Sequence, residues 1–396
     1  MSALSRIERS ALLAIVLLSA LAGAANYGTW AAVPRFLLAT LALAGLAWVV
    51  SFATEQLGER FGPGVTGMMQ STLGNLPELF VVIFALQKGE LVVAQTAIVG
   101  SILANALLVL GLVIVVGARR SEDSLMRFSK RLPRDTATLL QVTVFIIVIL
   151  GLSLASHDPA SHHVKAISAV GAICLLIVYL AWVVPYLRSD RAPGEEEVEA
   201  GGEGAVDVSG GGDPRVGARA RGSAFGDDSS REIDSAEPSA HPGPRLGLGL
   251  TLALLILAGG GSAFVSDWFV NGLEPAITQL HISQAFAGLV IVAIAGNAVE
   301  NTAGLVLAYK GRADLAISVV KNSVAQIAAF LFPALVLISL LLSTTLTFAL
   351  APVYIGALAL TALILWQVTG DGEAAEFEGW ALVAIYVILG TLTLYE

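Results

Sequence analysis

The chain contains very few of the residues that build soluble catalytic or disulfide-stabilised domains. Of its 396 residues only 13% are charged and 7% are aromatic, and Cys174 is the single cysteine. One cysteine excludes an intrachain disulfide and a cluster of thiolate metal ligands. By contrast, 56% of the residues are apolar and the mean hydropathy is +0.79, more than the interior of a soluble protein accommodates. The composition therefore indicates a protein whose partner is the lipid bilayer, and it argues against a cytosolic enzyme or a nucleic-acid binder.

Apolar runs long enough to cross a bilayer recur along the chain. A helix needs about 17 to 25 such residues to cross a hydrocarbon core of ~30 Å. The predicted spans, eleven in all, are residues 11–27, 36–54, 64–87, 91–117, 137–155, 164–187, 246–266, 283–309, 313–342, 347–366 and 379–395. The sequence thus predicts an all-α, multi-pass integral membrane protein in which an extra first helix precedes two halves of five helices each.

The distribution of Lys and Arg predicts the orientation of these spans. With the amino terminus in the cytoplasm, only three of the 22 Lys and Arg residues face outside, at Arg35, Lys88 and Lys165, and Lys321 lies within a span. The loop at 118–136 is strongly basic, and short loops weigh most in the positive-inside rule. We therefore expect a cytoplasmic amino terminus, an outer carboxyl terminus and a bacterial-type plasma membrane as host.

Composition divides the chain into four parts. Residues 188–245 are rich in Gly, Ser, Pro, Asp, Glu and Arg, and they include the acidic run GEEEVEAGGEG at 194–204. Such a stretch cannot bury enough apolar surface to offset its ordering entropy, so we predict a disordered cytoplasmic linker. The other predicted parts are a first helix with its outer loop at 1–35, a first five-helix half at 36–187 and a second at 246–396.

The two halves contain a repeated segment. GNLPE at 74–78 aligns with GNAVE at 296–300 at an offset of 222 residues, and the register continues without a gap through a Lys-Gly pair to Ser101 against Ser323. Because five spans separate the paired helices, the copies are expected to cross the membrane in opposite directions. Inverted repeats are typical of secondary transporters, in which the substrate site lies near the bilayer midplane between the repeats.

Two carboxylates occupy equivalent places in the two copies. Of the 31 acidic residues, only Glu78 and Glu300 fall deep within predicted spans. A charge at the bilayer centre costs at least ~2.5 kcal/mol, so its duplication indicates function; a neutral acid that merely joins helices is the alternative. Two carboxylates balance either one divalent cation or two protons. Burial raises the proton affinity of a carboxylate and a nearby cation lowers it, so proton and cation compete for the same oxygens. Such competition is the basis of antiport.

Oxygen-bearing groups surround both glutamates on a helical wheel of ~100° per residue. Hard cations such as Ca²⁺ require carboxylate, amide, hydroxyl and main-chain oxygens. Pro77 lacks an N–H, which leaves the carbonyl of Leu73 available as a ligand; a simple kink is the alternative. The candidate ligands besides the glutamates are Leu73, Gly74, Asn75, Ser101 and Asn105 in the first copy and Gly296, Asn297, Ser323 and Gln326 in the second.

At these residues the chain resembles the calcium/proton exchangers of the cation/Ca²⁺ antiporter superfamily. The carrying segments are GNLPELFVVIFALQKGELVVAQTAIVGSILANALLVLG at 74–111 and GNAVENTAGLVLAYKGRADLAISVVKNSVAQIAAFLFP at 296–333. The resemblance implies exchange of transported Ca²⁺ for H⁺ by alternating access, with Glu78 and Glu300 as essential acids, no resident cofactor and no enzymatic activity. Na⁺/H⁺ or Na⁺/Ca²⁺ exchange is the alternative within the superfamily.

Three possible modulators depart from the pattern of that family. Asn301 stands where the exchangers commonly have His, and Lys321 and Asn322 stand where a small or apolar residue and Gly are usual. Loss of the histidine removes a titratable group. On the wheel Lys321 lies about 160° from Ser323, which directs it away from the site. Either Lys321 pairs with another polar group, or it replaces one bound positive charge and changes ion selectivity or stoichiometry.

Overall fold

A computed structural model describes residues 4–28, 30–58, 60, 73–129, 131–189 and 245–396. Residues 190–244 of the predicted linker and 64–72 of the third predicted span lie outside the described residues. The side chains at 131–134, 186–189 and 299–300 lie outside them as well, and these include the carboxylate of Glu300. The division into four parts therefore stays a prediction.

Helices form nearly all of the described chain. They are α1 (Arg6–Tyr27), α2 (Ala32–Gly58), α3 (Leu76–Gln87), α4 (Leu91–Ala118), α5 (Arg131–Ala155), α6 (Val164–Ser189), α7 (Leu248–Leu280), α8 (Gln284–Gly296), α9 (Ala298–Tyr309), α10 (Ala313–Ser339), α11 (Pro352–Thr369) and α12 (Glu376–Leu394). A short 3₁₀ helix, Pro159–His163, precedes α6. Three of the long helices contain π-helical turns, at Ala104–Val109 in α4, Ala287–Val292 in α8 and Ile327–Leu331 in α10.

The number of spans can be compared with the prediction only in part. Within the residues that the structure describes, nine helices are long and apolar enough to cross a membrane, and the bent pair α8 and α9 supplies a tenth. The shorter apolar helix α3 is the described part of the predicted span 64–87. The prediction of a helical, multi-pass chain is confirmed, whereas the total of eleven spans stays a prediction.

Helix α7 is longer than the sequence predicts. The predicted span ends at residue 266, but the helix continues through Asp267 and Pro275 to Leu280. Its 33 residues extend about 50 Å, which exceeds the hydrocarbon core. Asp267 forms an ion pair with Lys88 in the turn after α3, at 3.0 Å. The helix continues beyond the end of the predicted span.

Close helix packing fixes α4 at the centre of the molecule. In an apolar stretch of 18 residues within α4, 89% of the stretch is buried, whereas the corresponding share in α1 is 17%. A Cβ on Gly100 would lie 2.5 Å from the main chain of Leu289 in α8, and one on Gly111 would lie 2.6 Å from the carbonyl oxygen of Gly379 in α12. Only glycine permits such an approach of two backbones. The polar residues in the middle of α4 are thereby held at a defined distance from α8.

The two repeat copies share their irregular backbone conformations. The first copy breaks its helix at Asn75 (φ −83°, ψ 5°) and the second at Asn297 (φ −95°, ψ 12°). In the tight turns that follow, Gly89 and Gly311 both have left-handed backbone, with φ of +81° and +75°, which glycine adopts without strain. The π-helical turns of α4 and α10 occupy equivalent stretches. The sequence repeat is therefore also a structural repeat of broken helix, turn and helix.

The two turns lie at opposite ends of α4. The turn with Gly89 leads directly into α4. The second turn contacts the other end of the helix, because Arg120 lies 5.4 Å from the ring centroid of Tyr309 and beside Gly311. The 28 residues of α4 extend about 42 Å. The turns of the two copies thus lie at opposite ends of α4, while the inverted repeat itself stays a prediction.

Polar contacts outside the long helices join the two halves of the chain. Strand β1 (Leu125–Arg127) pairs antiparallel with β2 (Glu373–Ala375). At the end of the predicted linker, the main-chain N–H of Arg245 donates to Oε1 of Gln56 (3.0 Å) and its side chain pairs with Glu8 (3.1 Å). The start of the second half is therefore anchored to α1 and α2.

Candidate functional site

Glu78 lies at the junction of the two repeat copies. It is in the first turn of α3, just after the break at Asn75, and it is only 4% exposed. Its Oε1 accepts a hydrogen bond from Oγ of Ser101 in α4 (2.5 Å) and another from Nδ2 of Asn297, which precedes α9 (2.5 Å). One donor comes from each copy.

A line of hydrogen bonds continues from Glu78 across the junction. Oδ1 of Asn297 accepts from Nδ2 of Asn105 (2.9 Å), and the same Nδ2 donates to Oγ of Ser323 in α10 (3.0 Å). The order Glu78, Asn297, Asn105, Ser323 alternates between the first and the second copy. All four side chains are buried. Each copy therefore completes the polar environment of the other.

Gly296 provides the space that the carboxylate of Glu78 occupies. A Cβ at Gly296 would lie 2.7 Å from Cγ and 2.9 Å from Oε1 of Glu78, so a larger residue would have to displace the acid. The helix breaks here in a copy that has Val299 rather than a proline. Pro77 is therefore not the general cause of the break, which belongs to both copies.

The other predicted ligands of the first copy lie beside the break. Asn75 is buried at the break itself. Leu73 and Gly74 are the helical, half-buried residues that precede it. Their carbonyl oxygens as ligands stay a prediction.

Several buried amide oxygens have no hydrogen-bond donor among the described residues. They belong to Asn105, Asn301, Asn322 and Gln326. A buried oxygen without a donor is costly, and oxygens of this kind are what a hard cation binds. Three of the four, at 301, 322 and 326, lie in the second copy. At the equivalent positions 79, 100 and 104 the first copy has Leu, Gly and Ala. The second copy is thus richer in available oxygen acceptors.

Glu300 lies in the first turn of α9, at the place that Glu78 takes in α3. Its side chain lies outside the described residues. Gly296 and Asn297, which precede it, are described and contact Glu78 directly. The participation of Glu300 in the same site stays a prediction.

Lys321 points away from this site. Its side chain is fully buried, and Nζ donates to Oγ1 of Thr369 at the carboxyl end of α11 (2.6 Å). Oγ1 of Thr369 in turn donates to the carbonyl of Leu365 (2.7 Å). Of the two sequence interpretations, this geometry is that of a lysine paired with a polar group. Thr369 lies outside both repeat copies, and no sequence pattern marked it.

The carboxylate of Glu78 lines a narrow, closely packed crevice between four helices. Glu78 and Ser101 are its polar residues, and apolar side chains from α3, α4, α8 and α10 form the remaining wall. Apolar walls lower the local dielectric constant and strengthen the attraction between a carboxylate and a cation.

A second polar group, which the sequence did not mark as functional, lies at the turn before α4. The carboxylate of Glu90 accepts a hydrogen bond from Nε2 of Gln284 at the start of α8 (2.8 Å). Burial, and then the negative charge of Glu274, raise the pKa of Glu90 above its usual value. The Gln284 hydrogen bond and the charge of Lys88 act in the opposite direction. This contact joins the two copies at the end of α4 opposite to Arg120.

Known proteins resemble the chain over almost its whole length. A family model described as sodium/calcium exchanger protein matches residues 31–186 and 250–395. The vacuolar calcium ion transporter of Schizosaccharomyces pombe is 29% identical over 372 residues, which cover 92% of this chain and 80% of that protein. The Ca(2+)/H(+) antiporter of Synechocystis sp. is 28% identical over 384 residues, 95% of each chain. The solved structure of native YfkE aligns with a TM-score of 0.73 at 22% identity, covering 98% of this chain and 100% of that one; this similarity shows a shared fold.

Proposed function

Since the chain belongs to the sodium/calcium exchanger protein family, we propose that it exchanges Ca²⁺ for protons across a membrane. The observation that carries the proposal is the buried carboxylate of Glu78, held between Ser101 of its own copy and Asn297 of the other. The names of the two relatives, a vacuolar calcium ion transporter and a Ca²⁺/H⁺ antiporter, favour Ca²⁺ and H⁺ over a Na⁺-coupled alternative.

Cation and proton compete for the same carboxylate oxygens in this mechanism. A buried carboxylate needs a neutralising charge, which either a proton or a cation supplies. A cation at Oε1 of Glu78 displaces the two donors, Ser101 and Asn297, because a lone pair serves one partner at a time. When Asn297 turns its carboxamide oxygen to the cation, its bond from Asn105 breaks. Cation binding at the first copy therefore alters the contacts that reach Ser323 in the second.

The second glutamate completes the charge balance. With Glu300 beside Glu78, the site carries two negative charges, which one Ca²⁺ or two protons neutralise. Further oxygens for the cation come from Asn75, Gln326 and the carboxamide of Asn105. Only a site whose charge is neutralised changes between its outward-facing and inward-facing states at low cost. Exchange therefore follows from alternating access to one shared site.

The orientation in the membrane is part of the proposal. The turns of the two copies lie at opposite ends of α4, which supports an inverted repeat within eleven spans. The Lys and Arg distribution supports a cytoplasmic amino terminus, an outer carboxyl terminus and a cytoplasmic linker. A bacterial-type plasma membrane is the proposed host. The basic end of α4, at Arg119 and Arg120, then faces the cytoplasm.

Transport assays with purified protein test the proposal directly. The full chain is reconstituted into proteoliposomes, a pH gradient is imposed, and ⁴⁵Ca²⁺ uptake is followed with and without Na⁺. Glu78→Gln and Glu300→Gln should each assemble normally and abolish uptake, whereas Glu122→Gln, a change at an exposed carboxylate, should transport like the wild type. Substantial proton-coupled uptake by either site variant contradicts the shared site. Uptake that requires a Na⁺ gradient and ignores pH overturns the choice of coupling ion.

A further inference from the structure

A second cavity lies at the end of α4 that meets the turn between α9 and α10. It is open to solvent and has a volume of about 320 Å³. Arg120, Ser121 and Arg127 provide its polar wall, and Leu125 and Met126 provide much of the apolar wall. The cavity is separate from Glu78 and its ligands, and the exchange mechanism makes no use of it.

Arg120 is the one cation of this wall without a carboxylate partner among the described residues. The neighbouring Arg119 pairs with Glu376 (2.7 Å), and Arg127 pairs with Asp123 (2.5 Å). Arg120 is exposed, and Cζ of its guanidinium lies 5.4 Å from the centroid of the Tyr309 ring. A cation–π contact of this kind leaves the N–H groups of the guanidinium available to other acceptors. A cation without a carboxylate partner among the described residues therefore lines the cavity.

The repeat itself shows that this positive charge is not imposed by the fold. In the first copy the turn has Lys88, which is neutralised by Asp267, followed two residues later by Glu90. In the second copy a turn of the same backbone conformation has Lys310 followed by Arg312. The two turns thus carry different charges on one backbone plan.

The cavity lies at the ends of two helices that are long and apolar enough to cross a membrane. It adjoins the last residues of α4 and the first residues of α10. Tyr309 and Trp380 are 68% and 46% exposed at this level, and Arg119 lies over the ring of Trp380 at 5.7 Å. Exposed aromatic residues at span ends mark the membrane interface. The guanidinium fork of arginine matches the oxygens of a phosphate.

We propose that this cavity binds a phosphate-bearing anion, which in the bilayer is the headgroup of an anionic phospholipid, and that Arg120 is its principal ligand. Ser121 provides a hydroxyl for the headgroup, and Leu125 contacts its apolar part. Because α4 belongs to the first copy and the α9–α10 turn to the second, a bound headgroup connects the two copies at this end. Lipid composition thereby influences their relative movement.

Thermal unfolding of the full-length, detergent-solubilised chain tests this site without reference to Ca²⁺ transport. Short-chain phosphatidylglycerol, short-chain phosphatidylcholine and inorganic phosphate are titrated separately, and the unfolding midpoint is followed. The variants are Arg120→Gln, Arg120→Lys and the matched control Lys165→Gln, which removes an exposed cation at the start of α6. Phosphatidylglycerol should raise the midpoint of the wild type and of Lys165→Gln. Arg120→Gln should need about fivefold more lipid, the factor that corresponds to ~1 kcal/mol per basic side chain at an anionic surface.

Each remaining outcome decides the proposal. An equal response of Arg120→Gln and the wild type overturns it, as does equal stabilisation by phosphatidylcholine. If inorganic phosphate stabilises as well as phosphatidylglycerol in an Arg120-dependent way, a soluble anion replaces the lipid as ligand and the lipid assignment is overturned. Arg120→Lys keeps the positive charge but loses the planar guanidinium that donates two parallel hydrogen bonds. An intermediate response of this variant therefore supports recognition of phosphate geometry. The transport proposal is unaffected by any of these results.

Discussion

Asn297 of the second repeat copy donates a hydrogen bond to Glu78 of the first, with 2.5 Å between Nδ2 and Oε1. The two residues are 219 positions apart in the chain. Neither half of the protein supplies both partners, so a buried carboxylate in one half depends on an amide from the other. This dependence makes the junction, rather than either copy, the unit that binds an ion.

Removal of the bridging amide should impair exchange without preventing assembly. Asn297→Ala takes one donor from Glu78 and the acceptor from Asn105, and a hydrogen bond to a charged group contributes about 1.5–3 kcal/mol. We expect at least a roughly tenfold loss of apparent Ca²⁺ affinity or rate, measured as ⁴⁵Ca²⁺ uptake under a pH gradient. Thr302→Ala, an exposed position on α9, is the control. Wild-type kinetics in Asn297→Ala would remove the bridge from the mechanism.

A single added methyl group at Gly296 should have a similar effect. The new Cβ would lie 2.7 Å from Cγ of Glu78, so Gly296→Ala has to displace the carboxylate, with an overpacking cost of about 1–3 kcal/mol. We expect a severe loss of exchange. Gly260→Ala is the matched control, because its Cβ meets no atom within 4 Å and alanine favours a helix by up to about 1 kcal/mol. Equal transport by the two variants would contradict the close packing of Gly296 on Glu78.

The pairing of Lys321 with Thr369 predicts a structural rather than an ionic role. Lys321→Met should leave Ca²⁺ affinity and the H⁺ to Ca²⁺ ratio within about twofold of wild type, because a buried ion can often be replaced by an apolar residue of similar volume. Thr369→Val should lower stability by about 1–3 kcal/mol, since it removes a partner of a buried charge. The double variant should be more stable than Thr369→Val alone. A changed coupling ratio in Lys321→Met would instead establish the lysine as a substitute for bound charge.

The environment of Glu90 predicts a pH-dependent effect on stability. Because burial and Glu274 raise its pKa in the folded protein, the protonated form favours folding. The associated stability is complete below the ordinary value of 4.5 and is lost as pH rises through the raised pKa. Glu90→Gln should therefore unfold at a higher temperature than wild type at pH 7, and the difference should vanish as pH falls to 4. Glu122→Gln serves as an exposed control. A difference that grows on acidification would contradict the assigned sign.

Much of the fold follows from patterns that are local in the sequence. Long apolar runs indicate membrane helices because a bilayer leaves no water to satisfy an open backbone, and the described spans agree with most predicted ones within a few residues. Glu78 stands out because a carboxylate in such a run is costly. The Gly-Asn pairs before Glu78 and Glu300 mark the repeat, and both copies break at the asparagine. These features depend on residue type and near neighbours.

Only the tertiary structure decided which side chains meet. The wheel placed Asn297 and Glu78 on separate stripes, and only the approach of α8 to α4, through Gly100, brings the asparagine to the carboxylate. Thr369, the partner of Lys321, belongs to no motif. Asp267 in α7 pairs with Lys88, which is 179 positions away in the chain. Such contacts depend on how helices pack, and packing is a property of shapes and distances that no single segment encodes.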